Sequence, residues 1–309
     1  DVKEGDHLVL RHSFASYDTP YLQTSSYYEN APVDVINEEL GYLLGIIVGD
    51  GSSRDQKRHM IEFTNTDSSM LDSFSNLSEK LFKVSVKSYI HPKKAERRYF
   101  CRKETRLFLF ESGLDYSKGP GKKTPWVILR SPVSVQKEFI RGLMDTDGGA
   151  NRTCTHFTSS SKKLAKEVHI LLLSFGIVSR LTEMPNNHAG AWRVEITGDN
   201  ARKYNYDIGF GIKKKKDDWV KFEPRKTVIP KSNTCILPDS IKIAKELQEA
   251  YHLTKTNGLS SLISRAKLGV SKLHINHFPF LNENMELGDT EIGRELLDIM
   301  FGTFFFDTI

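Results

Sequence analysis

The chain has 309 residues, 39% hydrophobic and 27% charged, with a formal net charge of +5, enough for two domains or one internally duplicated domain around a real apolar core. Cys101, Cys154 and Cys235 are too few and too far apart for a disulfide framework or a zinc site with C-x-x-C spacing, and they fit a reducing, intracellular setting. No apolar run approaches the ~20 residues of a membrane span, and no secretory leader is visible.

Charge is unevenly spread. Residues 1–50 hold nine acidic and two basic residues, a balance of −7, so the remainder carries +12. That predicts a basic surface suited to a polyanion, nucleic acid first and anionic membrane second; ordinary solvated charge is the competing reading. The chain starts on Asp1 and stops on the apolar FFFDTI, and both ends read as cut from a longer polypeptide.

In chain order, the first strongly periodic run leads into GYLLGIIVGDGSS. Asn37 can cap this helix, Glu38 and Glu39 fall in its first turn, and Gly51 is expected to leave it in the left-handed conformation. A strand over 59–66 (HMIEFTNT) follows, then an amphipathic helix over 68–82, a hairpin (KVSVKSYIH and ERRYFCR) and a helix over 104–113. A second helix then ends in FIRGLMDTDGGA, 97 residues after the first. Ser131-Pro132 or Ser134 can start it and Gly148 can stop it. After Asp147 the order repeats: a strand in THFTSSS, a helix in SKKLAKEVHILLLSFG, strands in VSRLTEM and AWRVEIT, and a helix ending YDIGF.

The registers agree. Phe63-Thr64 matches Phe157-Thr158 and Phe82-Lys83-Val84 matches Gly176-Ile177-Val178, both at an offset of 94, while Gly113 matches Gly209 at 96. This predicts an α+β fold of two α-β-α-β-β-α units, over 34–120 and 121–212, related by a pseudo-twofold axis. Lys213 to Lys231 carries eight basic residues against three acidic ones and reads as a linker with a basic face. From Asp239 the pattern turns helical, and Gly269-Val270-Ser271 between two short periodic segments reads either as a helix-turn-helix or as an ordinary helical hairpin.

Gly45 and Gly49 lie four apart on one helix face, and Gly142 and Thr146 repeat that spacing in the second helix. Small residues let two backbones approach more closely than the usual 8–10 Å, so the two helices are expected to pack on each other and bring Asp50 and Asp147 together. A helix C-terminus already carries partial negative charge. Two aspartates gathered there repel, and a bound divalent cation would neutralise them; oxygen-only ligands favour Mg²⁺ over zinc.

LLGIIVGDG (Leu43 to Gly51) and IRGLMDTDG (Ile140 to Gly148) resemble the paired motifs of the LAGLIDADG homing endonucleases, in their single-chain two-motif form. DVKEGDHLVL and FFFDTI resemble the segments flanking such an insert in an intein, so residues 1–33 and 301–309 read as splicing-domain remnants and 213–300 as a basic linker with a helical DNA-binding region. No N-terminal Cys or Ser nucleophile and no terminal His-Asn is present, so the chain alone is not expected to splice.

The resemblance implies hydrolysis of double-stranded DNA at a long site, with Mg²⁺ or Mn²⁺ held by Asp50 and Asp147. The partners it implies are DNA and, before excision, a parent intein and host protein; the protein itself would be a monomer. The earlier acidic position of the motif is Val48 in the first copy and Asp145 in the second. A lysine near the end of a repeat's last strand often assists; Lys103 stands there in the first repeat and Asp199 in the second, the alternative for Lys103 being a solvated surface lysine.

In that family the sheets enter the major groove. Strand alternation puts Met60, Glu62, Thr64 and Thr66 on one face, and Glu62, Thr64 and Thr66 are candidate base readers. Arg97, Arg98, Arg102, Arg193 and Lys213, Lys214, Lys215 and Lys216 are candidate phosphate contacts. The competing readings are a DNA-binding regulator of the same fold that no longer cuts, and an RNA maturase.

Overall fold

The computed structural model describes residues 19–53, 58–90, 95–151, 154–184, 190–222 and 240–250, with isolated positions near 291–294. The chain divides into two compact units, residues 14–224 and residues 1–13 with 225–309. In the second of these, a helix over Ser240–Ala250 is described. Residues 1–18 of the expected 1–33 splicing remnant, the remnant at 301–309 and the Gly269-Val270-Ser271 turn lie outside the described residues.

The first unit is α+β. It contains helix α1 (Glu38–Asp50), strands β1 (Gly51–Ser52) and β2 (Met60–Asn65), α2 (Ser68–Phe82), β3 (Lys87–Tyr89), β4 (Glu96–Cys101) and α3 (Lys103–Glu111). After the short α4 (Trp126–Leu129) the series returns as α5 (Val133–Asp147), β5 (Gly148–Ala150), β6 (Cys154–Ser159), α6 (Lys162–Ser174), β7 (Arg180–Met184), β8 (Ala191–Thr197) and α7 (Gly198–Asp207). Each half forms a four-stranded antiparallel sheet, in the orders β1-β2-β4-β3 and β5-β6-β8-β7. Residues 19–37 join the first half: Tyr27 packs edge-on against Trp126 at 4.9 Å and bonds the Ser112 hydroxyl at 2.9 Å.

Local chemistry accounts for the helix starts. The Asn37 side chain accepts from the Leu40 N–H at 3.0 Å, Asp67 accepts from Ser69 and Met70 at the start of α2, and Ser161 accepts from Leu164 at the start of α6. Helix α5 departs from expectation. Pro132 occupies the cap position with no side-chain bond, and Ser134 instead meets Glu38 and Tyr21.

The helix ends differ as well. Gly51 and Gly148 are extended, with φ −78° and −101°, because each motif helix runs directly into a strand. A side chain there is barred by crowding: a Cβ at Gly51 would lie 2.8 Å from Ile47 Cα, and one at Gly148 would lie 2.7 Å from the Met144 oxygen.

The core is continuous through both halves. In the first sheet Ile61, Phe63 and Phe100 are buried, with Phe74 of α2 stacked on Phe63 and Phe100 at centroid distances of 5.4 and 6.1 Å. Burying each such side chain contributes about 1.5–3 kcal/mol. Phe157, Val194 and Ile196 do the same in the second sheet under Leu164, Val168 and Leu172.

Between the halves, α1 crosses α5 at very close range. A Cβ at Gly142 would lie 2.5 Å from the Tyr42 oxygen and 3.1 Å from Gly45 Cα. One at Gly45 would collide with the Phe139 carbonyl, and one at Gly49 with the Thr146 hydroxyl. The last turns of the two helices therefore meet, with Asp50 and Asp147 as their final residues.

Candidate metal centre and groove face

Asp50 and Asp147 act electrostatically on each other. Burial pushes the Asp147 carboxyl up to about 6; Asp50 adds to the rise, while Lys122 and Lys215 oppose it. Burial also raises Asp50, against the charges of Lys122 and Lys215 and a hydrogen bond from Asn65 Nδ2 at 2.8 Å. Two half-desolvated carboxylates with a cationic surround form an oxygen-only donor pair. Among the described residues no cluster of three or more His, Cys, Asp or Glu is placed to hold a metal. The pair fits Mg²⁺ or Mn²⁺, since Mg²⁺ characteristically takes one or two carboxylates and keeps water and phosphate as its other ligands.

The lysines beside this pair are not the one expected. Lys103 opens α3 and is exposed. It follows Cys101, which pairs with Met60 at one end of β2, whereas Asp50 bonds Asn65 at the other end, a separation of roughly 17 Å along the strand. Lys122 instead donates to the Gly49 carbonyl in the last turn of α1.

Lys215 donates to the carbonyls of Met144, Asp145 and Gly148 at 2.8, 2.6 and 2.7 Å. Each ammonium thus caps one motif helix, where a cation is favoured by the helix dipole. Lys215 also corrects the expected basic linker. Residues 213–222 form a helix, α8 (Lys213–Phe222), on which Lys213, Lys214 and Lys216 are exposed while Lys215 turns inward. Lys215, expected as a phosphate contact, is thus a helix cap instead. Main-chain oxygens carry no residue-type signature, so nothing in the sequence singled out Lys122 or set Lys215 apart from its three neighbours.

The sheet register sorts the other candidates. Thr64 pairs with Arg97 and Glu62 with Tyr99, on the face opposite Ile61 and Phe63. Thr64 is exposed, as is Thr66 just beyond the strand. Arg97 lies over the Tyr89 ring at 5.5 Å. Glu62 is on this face but is 4% exposed, bonded to the Ser52 hydroxyl at 2.5 Å and to Arg97 at 3.0 Å, so it orders the face rather than standing free to read bases.

Arg98 is a correction, and Arg102 has a main-chain partner of its own. Arg98 pairs with Phe63 and so faces α2, where it bonds Asp72 at 2.7 Å and Ser75 at 3.1 Å. Arg102 donates to the Phe82 carbonyl at 2.7 Å and caps α2.

In the second sheet Arg193 pairs with Thr158 and lies 3.3 Å from Glu195. On the same face His156, the counterpart of Glu62 at offset 94, faces Gly149; burial first, then Arg193, lowers its pKa. The side chain of Asp199 lies outside the described residues.

Comparison with known proteins places residues 134–209 in a match to a LAGLIDADG-like domain. The replication factor C small subunit of Methanocaldococcus jannaschii is 33% identical over 183 residues, covering 58% of this chain and 10% of that protein. The replicative DNA helicase DnaB of Synechocystis sp. is 29% identical over 181 residues, covering 52% of this chain and 20% of that protein. The chain therefore spans a small fraction of the length of the curated relatives it matches. Among solved structures, I-DmoI in complex with DNA and Mn aligns with a TM-score of 0.45 and 17% identity, over 56% of this chain and 97% of that one.

Proposed function

We propose that this chain is a divalent-metal-dependent, site-specific endonuclease of double-stranded DNA, working as a pseudo-twofold monomer at the uninterrupted allele of its host gene. The observation that carries this reading is the juxtaposition of Asp50 and Asp147 at the ends of two helices packed through glycine. A DNA-binding protein that did not cut would gain nothing from desolvated acids facing phosphates. The insert reading is supported by the two relatives of unlike names that carry the matched segment as a minor part of their length. A segment recurring in unlike hosts behaves as a mobile insert, with an intein and its host protein as the earlier context.

Asp50 and Asp147 would hold Mg²⁺ or Mn²⁺, which supplies Lewis-acid stabilisation of phosphate charge and a more acidic water. Hydrolysis adds water oxygen to phosphorus and breaks the P–O3′ bond, leaving a 5′ phosphate and a 3′ hydroxyl. Asn65 orients the Asp50 carboxylate. Lys122 and Lys215, one at the end of each motif helix, offset the negative charge of the helix ends and stand where phosphate charge builds up; they replace Lys103 in that role. The exposed Thr64 and Thr66 are offered to base edges, with Arg97, Arg193, Lys213, Lys214 and Lys216 to phosphates.

The test incubates the protein with linear DNA carrying the host-gene junction without the insert, in Mg²⁺ or EDTA, alongside Asp50→Asn and Asp147→Asn. Metal-dependent double-strand cleavage lost in both variants supports the reading. Tight binding without cleavage overturns it in favour of a regulator.

A further inference from the structure

Asp145 is 2% exposed and is not one of the residues proposed to hold metal. Its carboxylate accepts from Tyr42 Oη at 2.8 Å, from the Gly211 N–H at 2.9 Å and from the Ile212 N–H at 3.3 Å. Gly211 and Ile212 immediately precede α8, and the Ile212 carbonyl accepts the Lys216 N–H at 3.1 Å to begin that helix. A Cβ at Gly211 would lie 3.0 Å from Tyr42 Oη and would collide with the Asp145 carboxylate, so the two segments are in contact without room for a side chain.

From the first turn of α8, Lys215 reaches back to α5 and donates to the carbonyl of Asp145 itself at 2.6 Å. The bonds close a ring: the Asp145 side chain holds the start of α8, and α8 returns Lys215 to the end of α5. An anion at that helix start also offsets four consecutive lysines, which the helix dipole disfavours there.

Among the described residues of the first half there is no such ring. Val48 stands at the position of Asp145, offset by 97, and beside it is a cavity of about 20 Å³ lined in part by Asp115, Tyr116 and Lys122. The Lys122 segment is tethered at α6 instead. The Ser161 hydroxyl donates to the Lys122 carbonyl at 2.6 Å, and Glu167 accepts the Thr124 N–H at 2.7 Å.

We propose that Asp145 is a positioning residue that locks the start of α8 so that Lys215 stays beside Asp147, and that the two halves of the centre are therefore separately controlled. Removing Asp145 frees Lys215 and leaves Lys122 in place. The cleavage consequence rests on the endonuclease reading: the strand that depends on Lys215 is slowed and the other is not.

Two measurements on the full chain test this. The first needs neither metal nor DNA. Lysine acetylation is followed by peptide mass spectrometry in EDTA, with native folding checked by circular dichroism. In Asp145→Val the Lys215 rate rises roughly tenfold, as expected for loss of buried charge-assisted hydrogen bonds, while Lys122 is unchanged. The isosteric Asp145→Asn, which keeps an acceptor, shows a smaller rise and serves if the valine variant does not fold. An unchanged Lys215 rate in a folded variant, or an equal rise at Lys122, overturns the proposal.

The second measurement follows supercoiled plasmid carrying the target site. Asp145→Val accumulates nicked circles as Lys215→Met does, and the double variant is no slower than Lys215→Met alone. Additive slowing, or equal slowing of both strands, overturns the positioning role. A wild-type protein that never cuts sinks the endonuclease reading, and the acetylation result then decides the lock by itself.

Discussion

Asn65 donates its side-chain amide to the Asp50 carboxylate at 2.8 Å, while its own oxygen accepts the main-chain N–H of Asp67 at 2.8 Å. One side chain therefore joins the first carboxylate of the centre to the start of α2. Such outer partners orient ligands, and their loss costs about 10–100-fold in metal affinity or activity. Asn65→Ala is expected to raise the Mn²⁺ concentration for half-maximal cleavage by that order and to leave DNA affinity in EDTA within about twofold. A titration of cleavage rate against Mn²⁺, with binding measured in parallel, checks both.

The α1–α5 crossing and Gly190 separate two reasons for glycine. Gly45→Ala puts a methyl group into main-chain atoms of α5, so the helices must part; about 2–4 kcal/mol is lost. Gly190 has φ +66° and nothing within 4 Å of an added Cβ, so Gly190→Ala costs only the left-handed backbone penalty, about 1–2 kcal/mol. Urea denaturation gives the order, and a Gly45→Ala variant as stable as Gly190→Ala would show that the crossing is not tight.

Asp147 makes stability and metal binding depend on pH with a definite sign. An unfolded aspartate titrates near 4, whereas the folded one is pushed up to about 6. Between those values the folded state binds more protons, so without metal the Asp147 contribution makes stability fall as pH rises, by on the order of 2 kcal/mol. A divalent metal bound there would displace that proton below about pH 6 and neutralise the carboxylate above it. Millimolar Mn²⁺ is expected to raise Tm more at pH 7.5 than at pH 5, and Asp147→Asn to remove both effects. Thermal melts across pH, with and without Mn²⁺, read this directly.

Arginine position predicts two different defects. Arg97 lies on the open sheet face with its side chain 40% exposed, and Arg98 faces α2 at 21%. Arg97→Ala is expected to reduce the slope of log affinity for DNA against log salt by about 0.9, one phosphate contact. Arg98→Ala leaves that slope unchanged and lowers stability, through lost bonds to Asp72 and Ser75. DNA-binding isotherms at several salt concentrations, paired with urea melts, distinguish the two.

Much of this arrangement is legible in the amino-acid order because it is local. Period 3.6 and period 2 alternate in the same sequence twice, and that alone yields two copies of the unit, with Met60–Asn65 and Cys154–Ser159 as matching strands. Glycine at positions 45, 49 and 142 and Asp at 50 and 147 are likewise visible, since small-residue spacing and a charge at a helix end are properties of single segments. Tertiary structure decided the rest.

The face on which Arg98 lies follows from its pairing with Phe63, and a one-residue change of register would reverse it. Gly51 and Gly148 are extended because strands begin immediately, a consequence of sheet pairing and not of helix termination. The places of Lys122 and Lys215 depend on carbonyl oxygens some 70 residues away. Every residue type presents the same carbonyl, so only folding distinguishes these two lysines from their neighbours.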